Sequence, residues 1–97
     1  MDKKQVSTIL EEIGTLLELK SENFFKSRAY QRGGRTILSL SENISDLVES
    51  GEIRKIEGIG SALADKITEI VTTGKLEYYE KLKASVPPGP RGWRGSG

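Results

Sequence analysis

The residues best placed to do chemistry lie in one stretch, Ile56-Glu57-Gly58-Ile59-Gly60-Ser61-Ala62-Leu63-Ala64-Asp65-Lys66-Ile67. It reads as the end of one helical turn, a glycine hinge and the start of a helix. The glycines permit positive φ and let the backbone approach a bulky ligand closely. The first amides of a helix beginning at Ser61 have no partner within that helix. They point out along the positive end of its dipole and form a cradle for phosphate. Ala64 is small where the two arms must touch, and Ile59 can plug the turn into a core. The same pattern also serves a helix pair packed by small residues for structural reasons alone. The chain has neither cysteine nor histidine. That excludes thiolate nucleophiles, cysteine metal sites and Ser-His-Asp or Cys-His catalysis, and leaves a zinc site carboxylates alone.

Other side chains could also meet an anion. Lys26 and Tyr30 are four apart on a helix and share a face, offering an ammonium and a phenolic hydroxyl to one phosphate. A core-edge tyrosine beside a solvated lysine reads equally well. On nearly the opposite side Arg28, Arg32 and Arg35 form a stripe with no interleaved acid. The stripe suits either a DNA backbone or pairing with the acidic segment 41–52, and it cannot share one phosphate directly with Lys26 and Tyr30. Lys66 lies on the flank of its helix, where its stem can rest on apolar surface with the amine in a partly dry groove. An attacking amine must be unprotonated, which partial burial and nearby cations favour. Asp65 and Glu69 adjoin Lys66 and oppose this. A DNA-backbone contact or a plain surface lysine are the other readings of Lys66.

These groups need helices to position them. The periodicity predicts a helix from a capping box at Asp2 and Gln5 to about Lys20, with Val6, Ile9, Leu10, Ile13, Leu16, Leu17 and Leu19 on one face. Gly14 weakens it by about 1 kcal/mol unless a neighbour packs there. Asn23 can cap a second helix, Phe24 to about Leu40, in which Gly33-Gly34 either kinks the helix or allows close crossing. Further helices are expected over Ile44–Glu49, Ser61–Thr72 and Leu76–Lys83, with a helical turn near Ile53–Ile56 and glycine ends at Gly51 and Gly74. β-Branched alternation is scarce, and the expected class is all-α: a compact bundle of about four helices with one hairpin motif near 53–72. Residues 1–86 make the domain, and the Pro/Gly-rich end 87–97 is expected to be disordered.

The 97 residues allow one domain, with 35% hydrophobic and 30% charged residues. Net charge is +1, so the chain is no polycation, but charge is unevenly spread. Residues 21–40 carry Lys26, Arg28, Arg32 and Arg35 against Glu22, whereas 41–52 carry Glu42, Asp46, Glu49 and Glu52 with no base. This is an oriented field. No apolar run approaches the roughly 20 residues of a membrane span and no signal peptide opens the chain, so the expected compartment is the cytoplasm.

The hairpin pattern resembles the helix-hairpin-helix motif, whose families hold the DNA backbone without reading sequence. Phosphate contacts position a duplex but do not specify bases. The order Phe24-Phe25-Lys26-Ser27-Arg28-Ala29-Tyr30-Gln31-Arg32, then Gly58 to Ile67, then Thr73-Gly74-Lys75-Leu76-Glu77 resembles the amino-terminal domain of family X DNA polymerases, the DNA polymerase beta type, especially bacterial members. The likeness covers residues 4–88 and stops at Pro88-Gly89, so the ending looks truncated or appended.

The resemblance implies a small helical domain that binds gapped or nicked DNA through the 5′-phosphate, as part of or derived from a repair polymerase. In some relatives it is also a 5′-deoxyribose-phosphate lyase that uses a lysine Schiff base. By position that lysine is Lys66. The implied DNA contacts are Lys26, Tyr30, Arg32, Gly58, Ile59, Gly60, Ser61, Ala62 and Lys75. By its place after the glycine cap, Lys75 suits the negative carboxyl end of the hairpin helix ahead of DNA. The carbonyls of Arg54, Ile56 and Ile59 are implied to hold a monovalent cation, Na+ or K+; no other cofactor is expected. Ala62 departs from the lysine common in active lyases, and Gly33-Gly34 from the usual small helix formers. Expected partners are DNA and a polymerase catalytic domain or other repair proteins, with no membrane and a monomeric state. Nucleotidyl transfer needs a larger domain with a carboxylate cluster for two metals, and is not expected of these residues. The alternative is a non-enzymatic protein-interaction module, favoured by the near-zero net charge and by Tyr78-Tyr79, which are expected to be exposed.

Overall fold

The computed structural model describes residues 2–20 and 24–85. The expected cap at Asn23 and the end 87–97 lie outside them. The described elements are α1 (Lys3–Leu19), α2 (Phe24–Ser39), α3 (Ile44–Ser50), a 3-10 turn (Glu52–Lys55), α4 (Ser61–Thr73) and α5 (Glu77–Ser85), with no strand among the described residues. Four helices have nine or more residues, and the seven-residue α3 is the fifth. None is long and apolar enough to cross a membrane.

Each helix boundary has a local cause. The Asp2 carboxylate accepts the Gln5 amide while the Gln5 side chain accepts the Asp2 amide, closing the box that starts α1. Asn43 takes the Ser45 amide at 2.8 Å to open α3. Gly51 and Gly74 end α3 and α4 in the left-handed conformation.

α1 and α2 form an antiparallel pair whose seam is made of small residues. The Ser27 hydroxyl donates to the Gly14 carbonyl at 2.8 Å, fully buried. A Cβ at Gly14 would stand 2.8 Å from the Ser27 carbonyl oxygen, and one at Gly34 would stand 3.0 Å from that of Ser7. Close crossing therefore occupies both glycines, and α2 runs without a break through Gly33-Gly34. The helix-propensity loss of about 1 kcal/mol per glycine is offset by tight interhelical contact. Gly33 serves a different neighbour: Leu63 and Ile59 lie over it, so the same α2 turn packs α1 through one glycine and the hairpin through the other.

Val6, Leu10, Ile13 and Leu17 from α1, Ile37 from α2, Ile44 from α3, Ile53 from the turn, Ile67 and Ile70 from α4 and Leu76 fill the core. Leu16 joins them and Ile9 is half-buried. Leu19, expected on the same face, is 58% exposed, because at about 100° per residue it falls outside the stripe centred on Leu10, Ile13 and Leu17. α5 is tied back to α1 by the Tyr79 hydroxyl, which donates to Glu12, and by Lys20, which donates to Ser85 Oγ at 2.9 Å.

Candidate nucleic-acid interface

The hairpin joins the 3-10 turn to α4 through Ile56–Gly60. The Ile59 amide donates to the Ile56 carbonyl at 3.1 Å, and the buried Ile59 side chain anchors the turn in the core. Gly58 alone of the two hairpin glycines has positive φ, at +94°, with Thr36 Oγ1 3.2 Å from where a Cβ would stand. Gly60 adopts an ordinary extended φ of −74°. Its lack of a side chain leaves open space in front of α4. No side chain caps α4, and Ser61 and Ala62 are exposed. The leading amides thus face outward from a positive dipole end, able to donate to an oxyanion.

A second group of side chains gathers one turn and more along α4. Lys66 Nζ lies 4.8 Å from the centre of the Tyr78 ring, and Lys26 Nζ lies 5.6 Å from the same centre. Tyr30 is buried and stacks on Tyr78, centroids 6.1 Å apart and planes 14° from parallel. Three elements (α2, α4 and α5) therefore bring two ammonium groups and a second phenol to one tyrosine ring. Cation–π attraction holds ammonium groups of this kind against an aromatic ring. Burial first, then the neighbouring Tyr78 through charge and a side-chain hydrogen bond, raises the Tyr30 phenol well above the ordinary tyrosine range.

The anions beside Lys66 are turned elsewhere. Asp65 pairs with the Arg54 guanidinium across to the 3-10 turn. Glu69 Oε2 accepts the Glu77 amide at 2.9 Å, at the start of α5. Lys66 itself is half-buried on the flank of α4, as its register implies. Ala62 sits one turn before it on the same side, so the α4 amides and the Lys66 amine line one continuous edge.

The other sequence-derived candidates fall differently. Arg28, Arg32 and Arg35 are exposed on α2. None is ion-paired to a described carboxylate, so the stripe does not pair with segment 41–52, which packs on α4 and the turn instead. Arg32 consequently stands apart from Lys26 and Tyr30. Lys75 is exposed beyond Gly74; its backbone is fixed by Thr73 Oγ1, which donates to the Lys75 carbonyl at 2.8 Å. For the implied monovalent cation, no described backbone amide outside the helices donates to the carbonyls of Arg54 or Ile59, while that of Ile56 takes Ile59 N–H. Neutral carbonyl oxygens with spare lone pairs fit such an ion.

A family model for the helix-hairpin-helix domain matches residues 1–76. The chain belongs to this family. A curated relative, the DNA polymerase/3′-5′ exonuclease PolX of Bacillus subtilis (strain 168), is 32% identical over 89 residues. That alignment covers 92% of this chain and 15% of the relative, so the chain spans a small part of that protein's length. The resemblance to a bacterial family X polymerase drawn from the three sequence blocks agrees with this match.

Reading from residues alone does not bring Tyr78 to this site. The alternative of a protein-interaction module takes Tyr78-Tyr79 as exposed, whereas both are half-buried, one against Tyr30 and the other packed to the core with its hydroxyl on Glu12. One signal was present: Tyr78 stands four before Leu82, the buried residue of α5, and so shares its inward face.

Proposed function

We propose that this helix-hairpin-helix domain binds gapped or nicked DNA through the backbone, without reading sequence, and seats the 5′-phosphate bordering the gap. The observation that carries the reading is the meeting of Lys26 and Lys66 over the Tyr78 ring beside Tyr30. Two cations and a protonated phenol there can receive a terminal phosphate. The amides of Ser61 and Ala62 meet the next phosphates of the strand, with Gly58 and Gly60 letting it come close. Arg54, Ile56 and Ile59 would hold a monovalent cation by their carbonyls, which would offset the charge of a strand crossing the hairpin. The PolX match supports a role as part of, or descended from, a family X DNA polymerase.

Lys66 is also placed for 5′-deoxyribose-phosphate lyase chemistry. Its neutral amine would add to the C1′ aldehyde of the opened abasic sugar, with loss of water to an imine. Loss of a C2′ proton to water would then expel the 3′ oxygen, breaking the C3′–O bond and freeing a 5′-phosphate on the DNA, and water would hydrolyse the remaining imine, releasing the unsaturated aldehyde and regenerating the Lys66 amine. Lys26 brings a second ammonium to the same Tyr78 ring that the Lys66 amine approaches.

The test compares intact duplex, gapped duplex with a 5′-hydroxyl and gapped duplex with a 5′-phosphate by fluorescence anisotropy. A phosphate held by charge-assisted bonds should tighten binding roughly ten- to hundredfold over the hydroxyl, and K26A should abolish the difference. Equal affinity for all three DNAs overturns the reading. Borohydride trapping on DNA with a 5′-deoxyribose phosphate tests the chemistry. A covalent band lost in K66A assigns the amine, and a band that survives moves it to another lysine, Lys75 first. No band with the unmodified chain removes the lyase step and leaves the binding.

A further inference from the structure

We propose that a second copy of this chain docks on the outward face of α2 through its own acidic α3 segment. The basic side of the contact is the row Arg28, Arg32 and Arg35, which share one side of the helix. The acidic side is Glu42, Asp46 and Glu49, which repeat the same spacing along the chain. Asp46 and Glu49 share a face of α3, and Glu42 stands just before its Asn43 cap. All of these residues are exposed, and none is ion-paired to a described residue. Within one copy the two rows do not meet, because α3 packs on α4 and the 3-10 turn. Each chain therefore presents both halves of a charge-complementary pair, with neither half used.

Two features select a second copy as the occupant. The first is the match of the rows. From Arg28 to Arg35 the helix rises about 10 Å. An acidic row laid antiparallel along it sets Glu49 against Arg28, Asp46 against Arg32 and Glu42 against Arg35. A nucleic acid would answer the arginines alone, whereas the chain's own acids answer and are answered. The second feature is apolar. Phe24, Phe25 and Leu38 are exposed large apolar side chains, Phe25 at 89%. At about 100° per residue they fall with the arginines in one arc of roughly 140°, the phenylalanines at one end of the row and Leu38 at the other. α1 packs on the Gly34 side of this arc and the hairpin on the Gly33 side, so no described element covers it. Aromatic residues with arginine are the composition of a protein interface. The two faces differ, so the contact is heterologous. Its ion pairs are solvent-exposed and screened by salt, which makes the association modest and salt-sensitive. Lys26 faces the other way, toward Tyr78, so the 5′-phosphate site takes no part in it.

Sedimentation equilibrium of the nuclease-treated full chain measures the contact, over roughly 10 μM to 1 mM protein and at about 0.02 and 0.5 M salt. The parent should associate in low salt and come apart in high salt. R28E/R35E and E42K/E49K each set like charges across the contact, and each should weaken association at least about tenfold. The exchange R28E/R35E/E42K/E49K restores opposite charges with the net charge still +1. It should bring association back to within about threefold of the parent. F25A should weaken it by about fivefold or more. K4E/K81E, at exposed positions on α1 and α5 outside both rows, carries the same change of charge as R28E/R35E and should leave association unchanged. Every substituted position is exposed, and far-UV circular dichroism checks that the variants stay folded. A parent that remains monomeric at about 1 mM in low salt overturns the proposal. So does association that survives both double reversals, or that the fourfold exchange fails to restore. Association seen only before nuclease treatment would make nucleic acid the bridge and would equally overturn it.

Discussion

Gly14→Ala is the substitution whose outcome the structure most sharply decides. Alanine is the better helix former by about 0.8–1.0 kcal/mol, so in an isolated α1 the change would stabilise. In the folded domain the new methyl would sit 2.8 Å from the Ser27 carbonyl oxygen and 2.6 Å from Gln31 Cγ. The first of these is backbone of α2 and cannot swing aside, so the helices must part. Overpacking of this kind costs about 1–3 kcal/mol. Parting also stretches the buried bond from the Ser27 hydroxyl to the Gly14 carbonyl, worth about 1 kcal/mol. The balance is a destabilisation of about 1–3 kcal/mol. For a domain of this size that lowers the melting temperature by roughly 5–20 °C. Urea unfolding followed by far-UV circular dichroism measures it directly, with S27A as control, since it removes the hydroxyl without adding volume and should cost only about 1 kcal/mol. A G14A protein that melts at or above the parent temperature would refute the close seam, and with it the account of why α1 carries a glycine in its interior.

The hairpin and the phenols supply further tests. Gly58→Ala places a Cβ at φ +94° against Thr36 Oγ1; left-handed strain of about 1–2 kcal/mol should appear in urea unfolding, whereas Gly60→Ala, in open space, should affect DNA affinity more than it affects the fold. Tyr30 and Tyr79 both have raised phenol pKa values, by burial first and then by Tyr78 and by Glu12 respectively. A raised value means that the folded state keeps a proton the unfolded state has released, so their contribution is whole below pH about 10 and is lost as pH rises above it. Thermal melts from pH 8 to 11 should fall more steeply for the parent than for Y30F/Y79F, and parallel curves would contradict the burial of these hydroxyls.

Local signals account for most of the architecture. The Asp2–Gln5 box, the left-handed Gly51 and Gly74 and the three-four stepping of Val6, Leu10, Ile13 and Leu17 are rules acting within one or two turns, and the helices begin and end within about two residues of where those rules put them. The hairpin was legible for the same reason: Gly58, Ile59 and Gly60 act on their own backbone and on the first turn of α4. Leu19 stands two residues past Leu17, about 200° around the helix, which turns it from core to solvent.

Where the side chains of different helices meet was settled only in three dimensions. Nothing local tells that Gly33 and Gly34 face two different neighbours, Leu63 and the Ser7 backbone, so a kink and a close crossing were equally consistent with the residues. Nothing local tells that Asp65 turns to Arg54 and Glu69 to the Glu77 amide, which removes the anions that adjacency alone had set against Lys66. The meeting of Lys26, Tyr30 and Lys66 around Tyr78 joins residues up to 52 positions apart. Periodicity assigns each residue a face of its own helix, but the rotation and spacing of one helix against the next depend on how the seam packs. Here that seam is set by glycines and by Ser27, and it decides which faces of α2 look inward to the ring cluster and which look out to solvent.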